Sequence, residues 1–561
     1  MSWLAGLLVG AAGRGPAQRF DSACRSPELA QTARLIELCT RHAGSEFGRS
    51  HNFSTVRTLK DFQTRVPIHD YEDLRPDIQR MLLGETGVLV DEPVELFART
   101  SGTSGEPKFI PSTRRCRMED HAEQLRTWFH SALHAHPKLF HGAVLSMTSP
   151  AVEGVTPSGI PYGSVSGLMQ RHMPRVVKRC YVIPEELAAS AAHQDRWYAL
   201  ALLGLAADVT FLATANPSSI LRLVETIDTR SDELLRDLKD RTLLGAPQLE
   251  PHVRQAVLQR LRGANARVVE LESMRRLRGG RLLPSDYWPH LQLIGCWKGG
   301  TVGGHVARFD SWFRGPNGSV PVRDWGWLSS ECRGSIPLSD QGASGVLSVH
   351  KVVLEFVPAE ELDRSQPETL PVQALETGRE YGVIVSTSGG LWRYDMNDIV
   401  EVVGRHHETP SIVFRRKGRG MTSMTGEKLS VNQVILAVDR AARANGCTID
   451  HWRVEADTDE SRYILMAESK QGLPPMARGP LLRVFDSELR KLNLEYGAKR
   501  SSGRLHMPVL HVMRSGWYAA GRKAHADAGG RVFQAKTIVL RTRTTPDASE
   551  PEAIIQAEDD A

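Results

Sequence analysis

The sequence predicts a layered α/β fold, and three observations point there. The chain has 561 residues, enough for two or more units with sizeable cores. Short apolar, β-rich runs recur over most of its length, and longer stretches of helical character fall between them. At 41% hydrophobic and 24% charged residues the composition is that of a globular protein, so neither disorder nor low complexity competes with this reading.

Taken in order, Trp3 to Ala12 is a short apolar opening. It has no basic leader region and falls short of the roughly 20 residues that span a bilayer, so a packed N-terminal helix is expected. Leu29, Thr32, Leu35 and Cys39 recur at intervals expected to place them near one helical face. Ser45-Glu46-Phe47-Gly48-Arg49 reads as a turn. Asp70-Tyr71-Glu72-Asp73-Leu74 opens a helix, with Asp70 as its cap and acids in the first turn.

Strands are expected at 143–147, 209–213, 291–296, 347–356 and 381–386, with helices over 185–205 and 231–241, the latter capped by Ser231. Strand order and pairing are not readable from the sequence. After Ser411-Ile412-Val413-Phe414 the chain turns charged and glycine-containing over 415–420, which suggests a hinge to a smaller domain. Ser430 then opens a helix through Ala442. Strands over 463–467 and 505–510 flank a helix over 481–494, and Pro508 limits the second strand to an edge. From Pro546 there are six acidic residues and no Lys or Arg, which reads as a disordered tail. The expected division is 1–415, 416–545 and the tail 546–561.

Seventy basic and 65 acidic residues leave a net charge of +5, too little over this length to imply nucleic acid. The basic runs 275–278 and 415–417 lack interleaved aromatics and read as solvated surface. Seven cysteines, at 24, 39, 116, 180, 296, 332 and 447, form no Cys-x2-Cys pair. Neither a disulfide framework nor structural zinc is expected, and a reducing cytoplasm fits. His406 and His407 are adjacent, but adjacency alone does not make two rings converge on a metal.

The most informative segment is Thr100-Ser101-Gly102-Thr103-Ser104-Gly105-Glu106-Pro107-Lys108. Its glycines permit close backbone approach to an anion, its hydroxyls donate hydrogen bonds, and Lys108 supplies compensating charge. It is not a Walker loop, because the Gly-x4-Gly-Lys-Ser/Thr spacing is absent. A second segment, Trp325-Gly326-Trp327-Leu328-Ser329-Ser330-Glu331, sets planar and apolar surface beside hydroxyls and an acid. A third is Gly390-Leu391-Trp392-Arg393-Tyr394-Asp395-Met396-Asn397-Asp398, and a fourth is Gly426-Glu427-Lys428-Leu429-Ser430.

Together these segments resemble the GH3 family of acyl-acid amido synthetases, within the adenylate-forming enzymes. The first is similar to the family's phosphate-binding motif, the third to its "GLYRYRxGD" region, and the fourth to "GEKLSE"; the Ser45 segment is similar to "TEFGR". The resemblance runs from the Ser45 region to about Lys536, and Gly159 to Ser164 and Asn216-Pro217-Ser218 look like further landmarks. It implies a large multi-layer N-terminal adenylate-forming domain and a smaller mobile α+β C-terminal domain.

The resemblance also implies roles. Ser101, Gly102, Thr103, Ser104 and Gly105 would hold phosphate, and Lys108 would stabilise developing charge. Trp327 and Leu328 would lie near adenine, Ser330 near phosphate, and Glu331 would help coordinate Mg2+. Asp398 matches the acid that binds ribose, with Arg393 and Tyr394 bracing the site. Arg416 and Lys428 are candidate nucleotide contacts, and Lys536, in Gln534-Ala535-Lys536, is a candidate contact to the reacting carboxylate or phosphate.

The implied reaction activates a carboxylic acid with MgATP as an acyl-adenylate, then conjugates it to an amine such as an amino acid. An acyl-CoA ligase using the same intermediate, or a non-catalytic nucleotide-binding regulatory protein, are the alternatives. Plant members suggest jasmonate, indoleacetate or benzoate-like acids, and nothing in the motifs selects among them. A cytoplasmic monomer without an integral membrane segment is the default.

Overall fold

The computed structural model describes residues 2–100, 108–190, 192–261, 265–300, 303–315, 318–362, 366–418, 420–518, 520, 540–543 and 551–556. They fall into two compact units that part between Arg415 and Arg416.

The first unit opens on the helices Ser2–Arg25 and Pro27–Arg41. Ala5, Phe20 and Cys24 of the first enter a core with Trp128 and Phe129. In the second, Leu35, Leu38 and Cys39 are buried, but Leu29 is 71% exposed. At 100° per residue Leu29 lies roughly 120° around the helix from Leu35, so the expected stripe is corrected to Leu35, Leu38 and Cys39. The expected turn at 45–49 is a short helix, Glu46–Ser50, because Ser45 caps it by accepting the Gly48 N–H at 2.9 Å. Asp70 caps Tyr71–Leu82 as anticipated, in a reciprocal box with Asp73.

Three larger sheets organise this unit. A parallel sheet runs in the order Val322–Arg323, Leu293–Gly295, Val209–Thr214, Ala143–Met147. The helix His193–Ala206 packs in its core, apolar on nearly all sides, with Tyr198, Leu200, Leu202, Leu203 and Leu205 buried. A mixed sheet orders Lys108–Thr113, Val94–Thr100, Pro161–Gly163 and Gly154–Val155. A six-stranded sheet orders Ser335–Ile336, Gly345–Leu347, Thr409–Lys417, Tyr394–His406, Glu380–Ser386 and Val353–Pro358.

Several expected elements are corrected here. The strand over 347–356 is two strands parted by a turn in which the Lys351 N–H bonds the Ser348 carbonyl at 3.0 Å. The strand over 291–296 shortens to Leu293–Gly295. The helix over 185–205 is two, Glu185–Ala189 and His193–Ala206, because Ser190 is extended, at ψ 135°. Ser231 does not cap its helix but is its first residue; Arg230 holds the cap position without a side-chain cap bond and pairs with Glu233 at 2.5 Å.

In the second unit a sheet orders Leu540–Thr542, His451–Asp457, Arg462–Glu468, Val509–Met513 and Ala553–Gln556. The helices Val431–Ala444 and Pro475–Leu492 pack on it around Val434, Val438, Leu481, Phe485 and Leu489. Ser430 caps the first of them in a box with Gln433. The second starts earlier than expected and ends at Leu492, where Asn493 caps a separate helix, Leu494–Ser501. The strand expected over 505–510 begins only at Val509 and is interior, not an edge. Pro508 precedes it, so its missing N–H is not needed by the ladder. The acidic end is likewise not without structure: Ala553–Gln556 pairs antiparallel with Val509–Val512, and Ile555 packs on the core.

No helix among the described residues is long and apolar enough to cross a membrane, and all seven cysteines are free thiols.

Candidate active site

Lys108 opens its strand as the register partner of Thr100, the last residue of the neighbouring strand. Ser101, Gly102, Thr103, Ser104 and Gly105 lie outside the described residues, as does Lys536. The ammonium of Lys108 stands 3.5 Å from the Tyr394 hydroxyl and 5.0 Å from the centre of the Tyr71 ring. The Tyr71 hydroxyl in turn accepts the Phe109 N–H at 2.7 Å. Two phenols therefore flank the lysine head, one by oxygen and one by its π face.

Glu331 belongs to the same group. Burial raises the Tyr394 phenol well above its ordinary value, and the nearby Glu331 charge is the next cause. The Tyr71 phenol is also raised, by burial first and with Glu331 contributing. The two phenols that flank Lys108 thus both feel the Glu331 charge. Glu331 is 8% exposed, so the acid is buried and not a surface group.

Glu331 sits at a tight reversal of the chain. Ser329 donates its N–H to the Cys332 carbonyl at 2.8 Å, and Gly334 donates to the Trp327 carbonyl at 2.9 Å. The indole of Trp327 lies against Gly334, where a Cβ would fall 2.0 Å from the ring. Only glycine admits that contact. The indole N–H then reaches Asp398 Oδ2 at 2.8 Å, joining the second and third segments. Trp327 and Asp398 are buried, whereas Leu328 and Ser330 are partly exposed.

Asp398 owes its position to an irregularity in the strand Tyr394–His406. Gly382 pairs with Ile399 and Ile384 with Asp395, so residues 396–398 bulge against the single Val383. Asn397 adopts the left-handed conformation there, at φ +50°, and its N–H bonds Asp395 Oδ1 at 2.7 Å. Arg393 is also left-handed, at φ +44°. Its guanidinium grips Glu355 through two bonds of 2.9 Å and reaches the Val66 carbonyl at 2.7 Å, so it braces the strand. Cys332, beside Glu331, is an inert thiol: burial pushes it well above the ordinary range, and the charges of Glu331 and Asp398 add to that.

Two residues escaped the sequence reading. Tyr71 looked only like the first residue after a helix cap, and nothing in its spacing announced a partner at Lys108. Arg333 lies two residues beyond Glu331. It donates to the Trp325 carbonyl at 3.2 Å, while its Nε is buried without a partner. Burial pulls this guanidinium down to about 10. Its charge also helps hold the buried His121 down at about 4, after burial itself. Proximity in sequence to an expected acid was the only available signal.

Arg416 and Lys428 belong to the second unit. Arg416 is exposed; Lys428 is partly exposed and left-handed at φ +49°.

Family-level sequence models describe what the chain resembles. Those of the GH3 family N-terminal, central and C-terminal domains match residues 16–317, 345–417 and 432–544. The chain is 26% identical over 535 residues to a probable indole-3-acetic acid-amido synthetase, GH3.2, of Oryza sativa subsp. japonica, covering 89% of this chain and 86% of that one. It is 25% identical to the indole-3-acetic acid-amido synthetase GH3.2 of Arabidopsis thaliana, covering 76% and 80%. Among solved structures, the AtGH3.15 acyl acid amido synthetase in complex with 2,4-DB aligns over 95% of this chain and 94% of that one, with a TM-score of 0.64 at 18% identity.

Proposed function

The chain belongs to the GH3 family, and on that premise we propose that it is an ATP-dependent acyl-acid amido synthetase. It activates a carboxylic acid and conjugates it to an amino acid, a reading supported by relatives named as indole-3-acetic acid-amido synthetases. The observation that carries this reading is Lys108 held between Tyr71 and Tyr394, phenols that the Glu331 charge also raises, together with Asp398 fastened to Trp327, four residues before Glu331.

In the first step a carboxylate oxygen of the acid attacks the α-phosphorus of ATP, and the bond to pyrophosphate breaks. Lys108 stabilises the charge that accumulates on the phosphates. Asp398 accepts hydrogen bonds from the ribose hydroxyls, its position set by the bulge and by the Trp327 indole. Glu331 fits Mg2+, because it is a buried carboxylate that offers hard oxygen ligands. An ion held there would supply charge neutralisation to the phosphates. In the second step the amine nitrogen attacks the activated carbonyl, the bond to AMP breaks, and the amine gives up a proton. No enzyme nucleophile is required.

The segment 101–105 is assigned to phosphate, and Leu328 and Ser330 to the nucleotide. The unit beginning at Arg416 is proposed to move between the two steps, with Arg416, Lys428 and Lys536 serving one step or the other. A Lys536 variant that folds and keeps full pyrophosphate exchange removes that residue from the list. The free thiols support a reducing, cytoplasmic setting.

The test is mass spectrometry of purified protein with MgATP, pooled aromatic and aliphatic carboxylates and pooled amino acids, beside coenzyme A controls. An ATP-dependent acyl–amino-acid conjugate is the expected product. Acyl-CoA in place of the conjugate would reassign the acceptor, and nucleotide binding without turnover would leave a regulatory protein.

A further inference from the structure

Three donor groups with no part in the adenylation site converge elsewhere in the first unit. Asp21 lies near the end of the helix Ser2–Arg25; His406 and His407 form the tip of the hairpin between Tyr394–His406 and Thr409–Lys417. His407 Nε2 stands 2.8 Å from Asp21 Oδ1, and His406 Nε2 stands 3.4 Å from the same oxygen. One ligand atom from each of the three lies within 4.8 Å of the others. Adjacency alone did not imply this; the fold brings the third group, Asp21, to the pair.

The backbone supplies the reason. Neighbours on an extended strand point to opposite faces. His407 instead adopts the left-handed conformation, at φ +51°, which breaks the alternation and brings both rings to one side, their centroids 4.3 Å apart. The tip is also fixed in place: the Glu408 N–H and the Thr409 hydroxyl both bond the Cys24 carbonyl at 3.1 Å. Asp21 is set from its far side, where Arg25 holds Oδ2 at 3.2 Å and leaves Oδ1 facing the imidazoles.

We propose that Asp21, His406 and His407 form a binding site for a divalent transition-metal ion of the zinc type, with solvent completing the coordination. Bonds of 2.0–2.1 Å to a tetrahedral zinc set ligand atoms roughly 3.3 Å apart, and the two separations from Oδ1 bracket that value. A simple ion pair with Asp21 needs one imidazole; here two Nε2 atoms lie within 3.4 Å of one carboxylate oxygen, near enough for a single ion to replace the protons between them. Two imidazoles and a carboxylate favour zinc, cobalt, nickel or copper over magnesium or calcium. All three side chains are partly exposed, so the ion reaches the site from solvent. It would clip the hairpin tip to the end of the N-terminal helix.

The experiment uses tag-free full-length protein, stripped with a chelator and titrated with Co2+, followed by visible absorption and calorimetry. The expected result is a saturable band from one cobalt, displaced by Zn2+, together with a Zn2+-dependent rise in thermal midpoint. Asp21→Asn, His406→Gln and His407→Gln each weaken binding by about tenfold or more, and the double histidine variant loses both the band and the rise. Thermal midpoints in chelator verify that each variant folds. Absence of a saturable band in the parent protein, or an unchanged band and affinity in the double histidine variant, overturns the site.

Discussion

Asp398 and Arg333 carry opposite electrostatic problems, and each makes a prediction at the scale of a single residue. The Asp398 carboxylate takes the Trp327 indole N–H and is assigned the ribose hydroxyls. Hydrogen bonds to a charged acceptor are worth about 1.5–3 kcal/mol, so Asp398→Asn should raise the KM for ATP by about tenfold to a hundredfold. Initial rates over a range of ATP concentrations measure this, with little change in thermal midpoint expected because the amide oxygen still accepts from Trp327. Arg333 is a half-buried cation with its Nε fully buried and no ion pair among the described residues, and desolvating such a charge is costly. Arg333→Met should leave the thermal midpoint unchanged or raised. If the charge is kept for an anionic substrate, the KM for the acid or for ATP rises about tenfold. A lowered midpoint with unchanged KM values would make Arg333 a purely structural residue.

At the scale of elements, the reversal around Glu331 is the part most sensitive to a small change. A methyl added at Gly334 meets the Trp327 ring at 2.0 Å, so Gly334→Ala must displace the indole and its bond to Asp398. The expected cost is about 1–3 kcal/mol of stability, with weaker ATP binding; denaturant unfolding and nucleotide titration read the two effects. Asp70 and Ser430 were legible as helix caps because a cap is decided within four residues, by a short side chain and the amides just ahead of it. Ser231 misled for a related reason: the acids after it suit a first turn, but the helix begins at Ser231 itself, after Arg230. The turn inside 348–352 was missed because Leu347-Ser348-Val349-His350 alternates apolar and polar residues as a continuing strand would, and Val349 and Val352 are buried like the strands on either side.

At the scale of the whole molecule, buried histidines tie stability to pH. Burial, helped by neighbouring arginines, holds both His42 and His121 down at about 4. In the unfolded chain these imidazoles protonate near pH 6.5, whereas in the folded protein they stay neutral until about pH 4. The unfolded state therefore binds more protons in that window, and stability is lost as pH falls from about 6.5 towards 4, by on the order of 1–3 kcal/mol per residue. Thermal midpoints between pH 7 and 5 should decline, and His121→Gln should flatten the slope. An equal slope in that variant would show that His121 is not held neutral.

The sequence by itself determined the α/β class, the change of character after residue 414 and the cap at Asp70, because each depends on composition or on neighbours within a few residues. Only the tertiary structure decided that the Tyr71 ring packs on Lys108, that a bulge turns Asp398 toward Trp327, and that Asp21 meets His406 and His407. Those meetings join side chains tens to hundreds of residues apart. They rest on strand pairing, on left-handed backbone at Asn397 and His407, and on close packing against Gly334, none of which leaves a periodicity in the chain.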